Sequence, residues 1–284
     1  MSTTNVPAIR SAKVRLGHRP LVMVTAYDAP SARVADQAGV DMILVGDSLA
    51  MVVLGYDDTL QITVDDMAHH VGAVARAKPG PLVVADLPWL SFHVSTRDTV
   101  ANAATLVRAG AEAVKLEGGI KRLPMVHAIV DAEIPVMGHL GLTPQSTHVM
   151  GGFKVQGRNA DAAKLLVEEA VALEAAGCFA IVLEGVPDVV GTAITDALAI
   201  PTIGIGAGAR TDGQVLVFHD LVGLENRFKP RFVRRYGTAF DDQVAAVAAY
   251  AADVRSGAFP SPAETYAASE ELSDAFGLYG RAPS

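Results

Sequence analysis

Short runs of Val, Ile, Leu and Ala recur along the chain, each followed by a polar turn and a stretch with apolar residues at i, i+3 and i+4. Eight runs predict strands: Leu21–Thr25, Met42–Val45, Leu82–Ala85, Ala113–Leu116, Ile134–Met137, Phe179–Leu183, Thr202–Ile205 and Val215–Phe218. Their nearly unbroken apolar character is that of parallel strands covered on both faces. Helical spacing predicts helices over Ser31–Ala38, Val64–Ala77, Arg97–Ala109, Lys121–Asp131, Ala160–Ala176 and Pro187–Ala199. Gln37-Ala38-Gly39, Arg108-Ala109-Gly110 and Ala175-Ala176-Gly177 are glycine stops placed just before a strand. Eight strands alternating with helices within about 250 residues predict an α/β fold, a (β/α)₈ TIM barrel, with an open doubly wound sheet as the competing topology. Leu140–Asn159 is too long and glycine-rich for an ordinary connection and reads as a lid or a subunit contact. Residues 1–284 read as one barrel domain with an N-terminal extension (1–20) and a helical tail from about 231, whose Ala-rich part is Asp241–Arg255.

Composition narrows the function. Of 284 residues half are hydrophobic and 19% charged, against about 25% in ordinary domains, which excludes a disordered chain. A net charge of −8 without any basic run excludes a nucleic-acid footprint. The single cysteine, Cys178, permits no internal disulfide and no zinc spacing, as expected of a cytoplasmic protein. Met1–Pro20 lacks the apolar core of a secretory signal, and no run is long enough to span a bilayer, so no membrane partner is expected. The positive mean hydropathy of +0.31 then belongs to the interior or to contacts between copies of the chain.

In a barrel, chemistry sits where strands end. Here those ends are charged: Gly46-Asp47-Ser48, Asp86-Leu87-Pro88, Lys115-Leu116-Glu117, Gly138-His139-Leu140 and Leu183-Glu184-Gly185. Neighbouring strands lie about 4.8 Å apart, so Asp47, Asp86 and Glu117 converge if the barrel is wound in order. Three carboxylates at one rim repel unless a cation sits among them, and a hard divalent ion is the economical answer. The competing reading makes Asp47 and Asp86 helix caps. Lys115 and Glu117, two apart, face the same way, with Val114 and Leu116 facing the helices. They read either as an internal ion pair or as a lysine aimed at a substrate anion beside a cation-binding glutamate. His139 is a core histidine or a ligand contact. Glu184 follows an apolar approach that would desolvate it into the range of a general base, or it anchors a loop. Trp89, Phe92 and His93 line the mouth or belong to the core. Gly204-Ile205-Gly206-Ala207-Gly208 is a weak phosphate-loop signal and reads better as a tight turn or a close approach of backbone.

These motifs, together with Thr25-Ala26-Tyr27-Asp28, Gly141-Leu142-Thr143-Pro144-Gln145, Asp212-Gly213-Gln214-Val215 and His219-Asp220, resemble the ketopantoate hydroxymethyltransferase family from about Leu21 to Pro260. The segments before His18 and after Pro262 carry no distinctive match. The resemblance implies a barrel of the phosphoenolpyruvate mutase and isocitrate lyase type, Mg²⁺, and transfer of a one-carbon unit from methylenetetrahydrofolate to 3-methyl-2-oxobutanoate. The product would be 2-dehydropantoate, on the route to pantothenate. By motif, Asp47, Asp86 and Glu117 match metal positions; Asp47, Ser48, Asp86 and Lys115 match oxoacid contacts, with His139 a further substrate contact. Glu184 matches the proton acceptor. The resemblance also implies a homo-oligomer, a decamer. Two other readings stay open: a C–C lyase of the same superfamily, which would want a reactive cysteine in a gating loop, and a non-catalytic oxoacid-binding barrel.

Overall fold

Residues 4–227 and 229–276 are described by a computed structural model, whose chain divides into two units, Met1–Tyr236 and Gly237–Ser284. In the first, eight parallel strands close in chain order: β1 (Leu21–Thr25), β2 (Met42–Val45), β3 (Leu82–Asp86), β4 (Ala113–Glu117), β5 (Val136–Gly141), β6 (Ala180–Glu184), β7 (Thr202–Ile205) and β8 (Gly213–Leu216), with β8 pairing back to β1. The closed barrel excludes the open sheet. Alternate residues face opposite ways. Leu21, Met23, Met42, Leu44, Leu82 and Val84 fill the interior, while Val24, Ile43, Val83, Val114 and Leu116 lie under the helices. Both sets are buried, which is why the strands read as continuous apolar runs.

Two strands differ from expectation by two or more residues at each end, and β3, β4 and β6 by a single residue. In β5 the ladder begins at Val136 and runs through Gly138-His139 to Gly141, paired with Glu184 of β6. Ile134 belongs to the preceding turn, its N–H donating to Ile129 O at 3.2 Å. Gly141, at φ 95°, lies so close to β6 that an added Cβ would stand 2.2 Å from Glu184 O, so only glycine fits there. β8 begins at Gly213 and stops early because Phe218 N–H donates to Thr25 Oγ1 at 2.8 Å and opens the helix Phe218–Val222.

The helices start and stop where local chemistry directs. Thr63 and Asp66 exchange hydrogen bonds in a capping box that opens Val64–Ala75, and Asp28 with Ser31 does the same for Ala29–Gln37. Gly110 ends Thr96–Ala109, its N–H donating to Leu106 O and Val107 O. The segment 140–159 holds a 3₁₀ turn, Pro144–Ser146, and a single helical turn, Thr147–Met150. The second unit contains the helix Ala239–Ser256 and a short helix Glu270–Ala275, with the rings of Tyr250 and Phe259 5.4 Å apart. No helix among the described residues is long and apolar enough to cross a membrane.

The N-terminal stretch is more than an appendage. Ile9 and Ala12 join the apolar cluster inside the barrel. Lys13 is fully buried, its Nζ 2.7 Å from Asp212 Oδ2 and donating to Thr195 O at 2.8 Å. Asp212 also accepts from Val14 N and Thr202 N, which fastens the N-terminal segment to the entries of β7 and β8. Removing one partner of a buried pair strands the other charge, a loss of about 3–5 kcal/mol. Lys13→Met is therefore expected to lower the urea midpoint by that equivalent, with Asp212→Asn added to it restoring part of the loss.

Candidate active site

Five consecutive strands deliver the charged groups to one arc of the barrel mouth. Asp47 follows β2, Asp86 ends β3, Lys115 and Glu117 sit on β4, His139 on β5 and Glu184 on β6. The register sets Asp86 beside Lys115 and Glu117 beside His139. All except Glu184 are buried, and the Glu184 side chain keeps 15% exposure. Every residue singled out at these strand ends reaches the same cavity.

Neither aspartate caps a helix. Asp86 Oδ2 accepts from Asp47 N at 3.0 Å, Oδ1 lies 2.7 Å from Lys115 Nζ, and the cap position of Leu49–Val52 is taken by Ser48. Ser48 Oγ shares a 2.9 Å hydrogen bond with Tyr27 OH. Lys115 pairs with Asp86 rather than Glu117, and its Nζ also stands 3.2 Å from His139 Nδ1. Glu117 Oε1 is 3.4 Å from His139 Nδ1, and His139 Nε2 is 3.3 Å from Glu184 Oε2. The result is a continuous relay of charged groups from Asp47 to Glu184.

Gln145 completes it, although its place in the loop beyond β5 puts it outside the strand-end rule. Its side-chain amide donates to Asp47 Oδ2 and to Leu87 O, both at 2.9 Å, while its backbone N–H donates to Glu117 Oε2 at 3.1 Å. The only sequence signal for it is its proximity to the charged end of β5, within Gly141-Leu142-Thr143-Pro144-Gln145.

The electrostatics follow from burial and crowding. Burial, then Asp86 and Glu117, raise the Asp47 carboxyl well above its ordinary range. For Lys115, burial favours the neutral amine, but Asp86, Glu117 and Asp47 outweigh it and hold the ammonium above the usual lysine range. Burial and Lys115 likewise push His139 down, yet Glu117 and Glu184 on either side of the ring lift it to about 9.

Three carboxylates rich in hard oxygen donors, with Gln145 Oε1 buried beside them and lacking a hydrogen-bond partner, fit a divalent cation in donor chemistry. Among the described residues no three His, Cys, Asp or Glu side chains converge as they stand on a metal position. The Lys115 ammonium and the Gln145 amide stand between the carboxylates instead.

The cavity holds about 870 Å³. Its other arc, from β7, β8 and β1, is mostly apolar, with Ile205, Val215, Val217 and Phe232. Gly206 lies against the Phe232 ring, where an added Cβ would stand 3.0 Å from it, so this glycine run serves close packing. Phe153, Lys154 and Val155 bring the loop after β5 to the mouth. Phe92 and His93 line a smaller neighbouring pocket of about 250 Å³, with Phe92 buried beneath Arg122. Cys178 lies in the outer layer, fully buried, its thiol pushed by burial up to about 12. It does not reach the cavity, which removes the reactive cysteine the lyase reading needs.

The profile of the family described as ketopantoate hydroxymethyltransferase matches residues 3–262. The chain belongs to this family. Relatives named 3-methyl-2-oxobutanoate hydroxymethyltransferase agree: the second such protein of Bradyrhizobium diazoefficiens is 54% identical over 96% of this chain and 92% of its own. Those of a Methylobacterium species and of Moorella thermoacetica are 57% and 54% identical, over 89% and 93% of this chain and 88% and 98% of their own. Among solved structures, a phosphonopyruvate hydrolase in complex with oxalate and Mg²⁺ superposes with TM-score 0.60 at 15% identity, covering 98% of this chain and 96% of its own. A phosphoenolpyruvate phosphomutase from Streptomyces platensis superposes with TM-score 0.61 at 16% identity and the same coverage. At that distance the chain shares their barrel, and the match carries nothing finer.

In this member of the ketopantoate hydroxymethyltransferase family, Gln145 fixes two carboxylates at once. Removing such a positioning group costs about 10–100-fold in activity or metal affinity. Gln145→Ala is expected to lower kcat/KM within that range while leaving the melting temperature within a few degrees of the parent's, as read by steady-state kinetics and thermal unfolding.

Proposed function

We propose that the chain transfers a hydroxymethyl group from methylenetetrahydrofolate to 3-methyl-2-oxobutanoate, giving 2-dehydropantoate, the first step of pantothenate synthesis, with Mg²⁺ as cofactor. The observation that carries this reading is one lysine held cationic among buried carboxylates, with Glu184 on the same cavity two strands away. The names of the relatives support the substrate.

Asp47, Asp86 and Glu117 would hold the ion. When bound, it would stabilise negative charge on the keto oxygen and so acidify the neighbouring C–H. Lys115 offers its ammonium to the substrate carboxylate or enolate oxygen, and Ser48 donates its hydroxyl to the same anion. Glu184 accepts the C3 proton, and His139, flanked by Glu117 and Glu184, holds that carboxylate in place. The C3 carbon then bonds to the donor's methylene carbon. The C–N bonds that held this carbon to folate are replaced by the new C–C bond and by a hydroxyl from water, which leaves tetrahydrofolate.

Proton abstraction needs no folate, and it separates an enzyme from an oxoacid-binding barrel. In D₂O with Mg²⁺, the parent should exchange the C3 proton of 3-methyl-2-oxobutanoate. Glu184→Gln should slow exchange by about 10²-fold or more at nearly unchanged oxoacid affinity. Asp86→Asn, which keeps the shape beside Lys115, should abolish turnover and weaken oxoacid binding. Absence of exchange in the parent would favour the binding barrel. Undiminished exchange in Glu184→Gln would move the base to His139.

We also infer a cytoplasmic homo-oligomer larger than a dimer, a decamer by family likeness. Mean hydropathy of +0.31 and exposed apolar side chains on the outer helices, such as Val34, Val107, Leu165 and Val171, support contacts between copies. Sedimentation at micromolar concentration should show a large assembly; a monomer alone would contradict it.

A further inference from the structure

The charged arc spans the ends of β2 to β6 and does not fill the barrel mouth. A five-carbon oxoacid seated against Lys115 and Asp86 fills a small part of 870 Å³ and leaves the arc of β7, β8 and β1 open beside it. That second arc is apolar but for Thr25, whose hydroxyl already accepts from Phe218 N–H, and one buried acid. Asp220 lines the cavity with 8% exposure, and among the described residues its carboxylate accepts no hydrogen bond. Burial and the neighbouring Glu225 raise it to about 6, with Arg235 pulling the other way. A buried carboxylate without a donor, facing open volume, is a receptor for N–H groups.

Its surroundings define the shape of what brings those donors. Ile205, Val217 and Phe232 offer flat apolar contact on the same wall. At the rim stand Lys154 and Arg231, while Arg227 is already paired with Glu225 at 2.7 Å. The complementary ligand has a planar ring with adjacent N–H donors at one end and negative charge at the other. Among the two substrates of the proposed reaction only the one-carbon donor has that form: an aminopyrimidinone edge presents parallel N–H groups that match a carboxylate, and its glutamyl tail is anionic.

We propose that Asp220 receives the N–H edge of the folate ring on the β7–β8–β1 wall, against Phe232, with the glutamyl tail leaving past Lys154 and Arg231. This rests on the reaction assigned above and adds to it the residues that select the second substrate. It also gives the order of the two ligands across the mouth. The oxoacid lies on the charged arc, the ring on the apolar arc, and the transferable carbon between them.

The test uses tetrahydrofolate as the binding probe and methylenetetrahydrofolate as the kinetic one. Asp220→Asn turns one acceptor into a donor that opposes the ring's own N–H. It should weaken tetrahydrofolate binding, measured by calorimetry, and raise KM for methylenetetrahydrofolate, each by about tenfold or more, the scale of a charge-assisted hydrogen bond. KM for the oxoacid and the rate of C3 deuterium exchange should stay within about twofold. Phe232→Ala, a change at a partly exposed ring, should shift the same two folate quantities and no others. Unchanged folate affinity in both variants overturns the proposal. Loss of deuterium exchange in Asp220→Asn at the parent's melting temperature also overturns it, because Asp220 then belongs to the oxoacid site. A parent that shows no exchange at all refutes the underlying reaction instead, and the assignment falls with it.

Discussion

Three carboxylates, Asp47, Asp86 and Glu117, are buried at the barrel mouth around one ammonium, Lys115, and the surrounding site is built to tolerate that excess of negative charge. Burial alone would drive Lys115 to the neutral amine and Asp47 to its protonated form. The lysine keeps its charge because Asp86 lies 2.7 Å away and two further acids stand behind it. Asp47 has less relief, since its neighbours Asp86 and Glu117 carry the same sign, and its carboxyl is raised accordingly. What remains is an arc with more anion than cation. An arc of that charge would repel an anionic oxoacid by itself, and the divalent cation proposed above would offset that repulsion.

The barrel positions this arc with little help from loops. Parallel strands put the carboxyl ends of β2 to β6 side by side, and the register alone sets Asp86 beside Lys115 and Glu117 beside His139. The loop after β5 contributes a lock: Gln145 bonds Asp47 with its side chain and Glu117 with its backbone. The shared barrel of phosphonopyruvate hydrolase and phosphoenolpyruvate phosphomutase shows that this frame serves several chemistries, so identity is carried by the groups at the strand ends.

Much of this is legible in the sequence for a physical reason. Strands covered on both faces must be apolar throughout, so the eight runs stand out and a charge at the end of one is conspicuous. Where a strand ends in Gly138-His139-Leu140-Gly141, the pattern fades, because glycine and histidine carry no strand signature and the ladder there is held by neighbours. Residues whose roles depend on distant partners leave no local trace. Lys13 reads as one scattered base near the N-terminus, yet its counterion is Asp212, which closes the far side of the barrel. Gln145 and Asp220 are ordinary polar residues until the fold turns them toward the cavity.

The buried thiol of Cys178 has a practical consequence. As the chain's single cysteine, shut away beneath the helices and held in its protonated form, it is silent toward maleimides and similar reagents in the folded protein. The wild-type background is therefore already clean for site-directed labelling. A fluorophore or spin label attached through Val149→Cys, at a side chain 93% exposed on the loop after β5, would report that loop's position without any prior cysteine removal.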